Sequence, residues 1–185
     1  VIDNKRVLSK ALDDRVGLFV LIEAVKKLSK KKLNCNLFVS ASVQEEMGLR
    51  GARIINTKVN PDFSVALEGT VSNDLPGIPK HKSLAHLNNG PEIRISDKYL
   101  IADRKFNNFI ENLAIKKKIP YQLTAKNAGG TNSTAFQVTG NGSKATVLSV
   151  PVRYLHSPSS VCRIKDIENT IKLLIEIVSN INKFK

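Results

Sequence analysis

Apolar residues recur along the chain with two alternating periods, one of strands and one of helices. A short extended start at Lys5–Leu8 leads into an apolar helix from about Arg15 to Leu28. The run from Leu37 to Val43 mixes aromatic and β-branched residues and predicts a strand, followed by a helix from about Gly48 to Ile55. Ser64–Leu67 predicts a buried strand. The stretch Glu68–Pro91, rich in Gly, Pro, Asn and His, predicts a long loop, and such loops inside compact domains are usually functional. A helix over Arg104–Lys118, a strand over Tyr121–Ala125 and a turn at Gly129-Gly130 follow. Thr131 and Asn132 are placed there as a helix cap. After a strand at Ala145–Val150, the last helix, about Ile164–Asn182, sets Ile167, Ile171, Leu174, Ile175, Val178 and Ile181 on one stripe of period 3.6.

This alternation predicts an α/β fold, a three-layer sandwich around a mostly parallel or mixed sheet. In such sheets function gathers at the strand ends and in the loops beyond them. A length of 185 residues suits one domain with a real core. With 42% hydrophobic and 24% charged residues the composition is globular.

A net charge of +13 raises the question of nucleic acid. Much of the excess lies in Lys30-Lys31-Lys32 and Lys116-Lys117-Lys118, near the ends of predicted helices, where cations complement the helix dipole. Aromatics are only 5% and Trp is absent, so there is little material to stack bases. A solvated lysine-rich surface and no nucleic-acid partner are expected. The two cysteines, Cys35 and Cys162, form no C-x-x-C pair, which argues for a reducing, cytoplasmic setting and against a thiolate metal site. No apolar run reaches the length of a membrane span, so no membrane partner is expected.

Several acids and one histidine fall just past predicted strands. Asp13-Asp14 lie between the first extended stretch and the first helix, and Glu45-Glu46 follow Leu37–Val43. Glu68 ends Ser64–Leu67, and His156 follows Val150–Leu155. Each has a plain structural reading as a helix-opening acid or a packed histidine. Together they occupy the rim where α/β active sites are built, and carboxylate plus imidazole donors suit zinc, cobalt or manganese. Two metals need a bridging carboxylate with further ligands on either side. A glycoside hydrolase also uses paired carboxylates, but it has no place for a histidine ligand or for further acids.

The run Lys10-Ala-Leu-Asp-Asp-Arg-Val-Gly17 resembles the K-A-x-D-D-R-x-G segment of the glutamyl and tetrahedral aminopeptidases, two-metal exopeptidases. Gln44-Glu-Glu-Met-Gly-Leu-Arg-Gly-Ala52 is similar to that family's Q-E-E-x-G-x-x-G-A motif. Leu67-Glu-Gly-Thr70, Asp74-Leu-Pro-Gly77, Gly129-Gly-Thr131 and Val150-Pro-Val-Arg-Tyr-Leu-His-Ser157 follow in the family's order. The resemblance covers essentially the whole chain. It implies that Asp13 bridges two divalent metals, zinc or cobalt, and that the Asp13–Asp14 peptide is cis. Glu46 and His156 would complete one metal's shell, Glu68 would bind the other, and Glu45 would act as general base. It also implies peptide substrates and a homo-oligomer.

The family pattern opens with an H-x-D segment, whose histidine is a further metal ligand, and then an inserted oligomerisation domain. Neither matches residues of this sequence, which begins at Val1. Residues 1–185 are therefore expected to be a partial catalytic domain, incomplete at its N-terminal side. Such a piece is expected to hold at most one metal tightly and to show little or no activity by itself; the alternative is a non-catalytic, truncated relative. His81 and His86 fit no ligand motif. The family's frequent G-G-T-D reads Gly-Gly-Thr-Asn132 here, and Ser160 stands where an acid is often found.

Overall fold

The computed structural model describes residues 1–184 of the 185. Its strands are β1 (Arg6–Ser9), β2 (Phe63–Val71), β3 (Glu92–Ser96), β4 (Gln122–Ala125), β5 (Lys144–Arg153) and β6 (Ser160–Arg163). Its helices are α1 (Leu12–Leu28), α2 (Arg50–Val59), α3 (Arg104–Lys116), α4 (Asn132–Val138) and α5 (Ile164–Asn180). The sheet is mixed. Its order is β1-β6-β5-β3-β4, with β2 parallel to β5 and β3 and β6 antiparallel to it.

β5 organises the domain. Leu148, Val150 and Val152 point into the main core, where α1, α3 and α5 supply Val16, Val20, Phe106, Ile110, Ile171 and Leu173. The stripe predicted on α5 is the one that packs there. Successive residues of a strand face opposite ways, so Ala145 and Val147 join Ala66, Leu100 and Ala102 in a second, smaller cluster. α4 lies against β2 and β5, and α2 packs on α4. Their contact is fixed by Asn56, whose buried amide donates to the Thr139 carbonyl at 2.6 Å. Helices thus cover the sheet in the expected three-layer arrangement.

Leu37–Val43 is not a strand: this stretch joins no ladder. A strand needs a partner for its backbone groups, and propensity without a partner gives none. The long loop begins later than expected, because β2 continues through Val71. The helix expected over Gly48–Ile55 runs from Arg50 to Val59. β3 and β6 were not legible in the hydrophobic pattern. β3 alternates Glu92 and Arg94 with Ile93 and Ile95, so its charged side is buried as a salt-bridged cluster. No helix among the described residues is long and apolar enough to cross a membrane.

Candidate metal centre

The site is assembled at the start of α1, at the segment before α2, within β2 at Glu68 and in the turn after β5. Asp13 and Asp14 fall inside α1 by hydrogen bonding but have non-helical φ/ψ, and the peptide between them is cis. Ala11, Gln44, Tyr154 and His156 have positive φ values of 49–59°, unfavourable for residues with a Cβ. Gln44 directly precedes Glu45, His156 is itself a site residue, and Ala11 and Tyr154 lie two residues before one; strain of this kind gathers where structure holds functional groups in place. Gly17 has a specific reason to lack a side chain. Its N–H donates to Asp14 Oδ1 at 3.0 Å, and a Cβ there would run into that carboxylate. Gly51 is similarly constrained, since a Cβ would come within 2.7 Å of the Val43 backbone.

The four expected metal ligands come together with Asp14, in two groups that share Asp13. Asp13, Glu46 and His156 offer ligand atoms within 4.8 Å of one another, and so do Asp13, Asp14 and Glu68. His156 Nε2 lies 2.9 Å from Asp13 Oδ2 and 3.3 Å from Glu46 Oε1. The first group is an open rim, with the His156 and Glu46 side chains 63% and 62% exposed. The second is a floor, with Glu68 only 5% exposed. Glu45 lines the same cavity as Asp13, Asp14, Glu46 and Glu68. Asp14 is the residue the sequence did not single out as a donor. A pair of acids opening a helix reads as dipole compensation, and only the fold shows the second one turned inward.

Crowded carboxylates hold on to protons. Burial, then the charges of Glu46 and Asp13, push the Glu45 carboxyl up to about 7. Burial, with Asp13 and Glu45 adding to it, raises Asp14 to about 8. Asp13 is raised by burial and by Glu46, and Glu68 well above its ordinary value by burial and the neighbouring acids. The Arg94 charge opposes the rise at Asp13, Glu45 and Glu68 without cancelling it.

These residues fit a divalent cation. Among the described residues, Glu68 Oε1 is buried with no hydrogen-bond partner, which is costly unless something positive meets it. The donors are oxygen and imidazole nitrogen without thiolate, the set that zinc and cobalt accept in catalytic sites.

The flanking motifs hold these parts in place. Arg153 clamps Asp74 with Nε to Oδ1 at 2.8 Å and Nη2 to Oδ2 at 2.9 Å, tying the Asp74–Gly77 turn to the strand that leads to His156. Ser160 Oγ donates to the Tyr154 carbonyl at 2.9 Å and closes the turn that carries His156. Thr131 caps α4, accepting from the Ser133 N–H, and Asn132 reaches Ser42 Oγ at 3.1 Å. His81 is exposed and His86 uses its backbone on Gln122, so neither joins the site.

The sequence profile of the M42 glutamyl aminopeptidase family matches residues 1–173. A putative aminopeptidase of Acetivibrio thermocellus is 35% identical over 178 residues, covering 96% of this chain and 53% of the relative. An aminopeptidase structure from the archaeon Desulfurococcus kamchatkensis superposes with a TM-score of 0.95 at 34% identity, over 100% of this chain and 53% of that one. A Pyrococcus horikoshii TET1 peptidase, described as assembling into a tetrahedron or a large octahedral shell, gives a TM-score of 0.83 at 32% identity. That match covers 96% of this chain and 51% of the Pyrococcus protein. The chain spans about half the length of the relatives it matches.

Proposed function

This chain belongs to the M42 glutamyl aminopeptidase family, and from that premise we propose that residues 1–185 form part of the catalytic domain of a metal-dependent aminopeptidase acting on peptide N-termini. The observation that carries the reading is Asp13, whose carboxylate is shared by two donor groups. A carboxylate so placed can bridge two divalent cations, one on Glu46 and His156 and the other on Asp14 and Glu68. Zinc or cobalt suits both. The first group has the three protein ligands usual for catalytic zinc. The second is all carboxylate and includes Asp14, raised to about 8, so it binds more weakly at neutral pH.

When bound, the cations polarise the scissile carbonyl and acidify water. Glu45 is the general base. With its carboxyl pushed up to about 7 it can take a proton from the attacking water near neutrality and return it to the leaving amine. The exposed rim at Glu46 and His156 admits a chain end, and the acids around it attract the substrate's α-ammonium group. A glycosidase would have no use for His156 among the acids. Assembly with further copies of the chain is proposed from the Pyrococcus likeness. A cytoplasmic setting is proposed from the free thiols Cys35 and Cys162.

The test pairs two variants of the complete enzyme, followed by metal analysis and hydrolysis of an aminoacyl-amide. Glu45→Gln should keep the bound metal and lower turnover by about 10²–10⁴-fold. His156→Ala should lose the metal of the first group. Metal loss in Glu45→Gln would reverse the assignment, and a metal-loaded protein without turnover would leave a binding domain in place of an enzyme.

A further inference from the structure

Glu45 and Glu46 stand on a stretch with no regular structure of its own: residues 36–49 lie outside every helix and strand. At its far end the Gly51 N–H donates to the Val43 carbonyl at 3.1 Å and the Arg50 N–H to the Gln44 carbonyl at 3.3 Å, tying it to the start of α2. Apart from the Glu46–His156 contact of the site itself, one side-chain hydrogen bond among the described residues joins this stretch to a part of the fold beyond α2. It runs from Asn132 Nδ2 to Ser42 Oγ at 3.1 Å, across 90 residues of sequence.

The Asn132 amide is not needed by its own helix. Thr131 caps α4, and Asn132 Oδ1 is buried without a partner among the described residues. The side chain lines the same cavity as Glu45 and Glu46. α4 itself is a firm base. Ser133 is fully buried and donates its hydroxyl to the Thr146 carbonyl of β5, and Asn56 of α2 is bonded to Thr139 at the other end of the helix. The glutamate-bearing stretch is therefore held to α4 twice, directly at Ser42 and through α2 beyond Gln44.

We propose that Asn132 is a positioning residue for Glu45 and Glu46, acting through Ser42. Ser42 precedes Glu45 by three residues, a span of at most about 10 Å of extended chain, so fixing its hydroxyl limits where both carboxylates can stand. A loop held at one end samples more backbone states than a loop held at both, and settling it into one state when the cation binds costs more entropy. Loss of a hydrogen bond that supports a metal ligand in this way weakens metal binding by about 10–100-fold. The inference rests on the reading of Asp13, Glu46 and His156 as a cation group, and its experiment separates the two.

The experiment titrates cobalt into the metal-free 185-residue chain and measures amide hydrogen exchange in parallel. The variants are Asn132→Ala, Ser42→Ala, the two combined, and Ser42→Thr, with His156→Ala as the reference. Each alanine variant should bind the first cobalt about 10–100-fold more weakly. Without metal, its Gly48 and Leu49 amides, which bond to the Glu45 carbonyl, should exchange at least tenfold faster than in the parent. The combined variant should be no weaker than either single one, because both remove the same bond. Ser42→Thr keeps the hydroxyl and should stay close to the parent in both readouts. Thermal melting of Asn132→Ala should be unchanged, since Thr131 caps α4. Unchanged affinity in the alanine variants, beside a His156→Ala that loses its cobalt, overturns this inference alone, even where exchange is faster. Additive losses in the combined variant also overturn it, because the two residues then act separately. A His156→Ala variant that binds cobalt no differently from the parent defeats the cation-group reading, and the positioning role falls with it.

Discussion

Glu68 and Glu92 flank the same residue: Ser149 on β5 is the register partner of Glu68 on β2 and of Glu92 on β3. Residues paired laterally share a face of the sheet, so two buried glutamates stand about 10 Å apart in one row. Their pKa values are shifted in opposite directions. Burial alone would raise Glu92, but Arg94 at 3.1 Å, Lys126 at 3.2 Å and the Thr124 hydroxyl hold it down to about 2. Glu68 is raised by burial and by Asp14, Glu45 and Asp13, which outweigh the Arg94 charge. One row thus contains a carboxylate neutralised within the protein and a carboxylate that awaits a cation.

Acid unfolding should expose the Glu92 cluster. Its folded-state pKa lies below the ordinary 4.5, so its stabilisation is complete above about 4.5 and is lost as the pH falls toward 2. Urea midpoints measured between pH 6 and pH 2.5 should drop through that window. Glu92→Gln, which leaves Arg94 and Lys126 buried without their main counter-charge, should cost about 3–5 kcal/mol at neutral pH and flatten the drop. A wild-type drop that persists in Glu92→Gln would assign the acid transition elsewhere.

The acids proposed to hold metal should show the reverse slope. Asp14 and Glu45 are raised to about 8 and about 7, so in the metal-free protein their charging disfavours the fold as pH climbs from their ordinary values to those points. Added zinc or cobalt should restore stability, more at pH 8 than at pH 6, because the ligands must shed protons to bind. Titration calorimetry in two buffers of different ionisation heat should detect proton release on binding. Asp14→Asn should reduce that release and weaken the second equivalent of metal while sparing the first.

How far the sequence reached can be read from single residues. Asp13, Glu46, Glu68 and His156 were placed at strand ends, and the fold brings the four together, although no strand precedes Glu46 and Glu68 lies inside β2. Asp14 was not, because only burial separates an inward acid from a helix-opening one. β3 was missed since Glu92 and Arg94 imitate a solvated face, and nothing local reveals that each buries the other. Leu37–Val43 misled in the other direction, because its side chains suit a strand and strand formation depends on a neighbour. β6, four residues after a Ser/Pro-rich turn, is defined by its pairing with β1 and β5 alone.

Gly17→Ala should test the packing at the start of α1. The added methyl would displace the Asp14 carboxylate, and overpacking of this kind costs about 1–3 kcal/mol. The variant should melt earlier and bind its second metal equivalent more weakly. A protein with unchanged melting and metal content would show that Asp14 moves aside freely.

Arg153→Lys should loosen the loop between β2 and β3. Lysine keeps the charge but cannot make the two-pronged contact with Asp74, and about 1–2 kcal/mol should be lost. Leu87, whose N–H donates to Asp74 Oδ2 at 3.0 Å, should exchange its amide at least tenfold faster than in the parent protein.

The pairing of β1 with β6 also bears on how the chain acquires its shape at the ribosome. Arg6 lies opposite Arg163, so the first strand has no ladder until more than 150 further residues have been made. At the usual pace of translation that is a wait of roughly 8–30 s. His156 reaches Asp13 only in the same interval, so nascent chains halted short of residue 156 cannot assemble the exposed cation group.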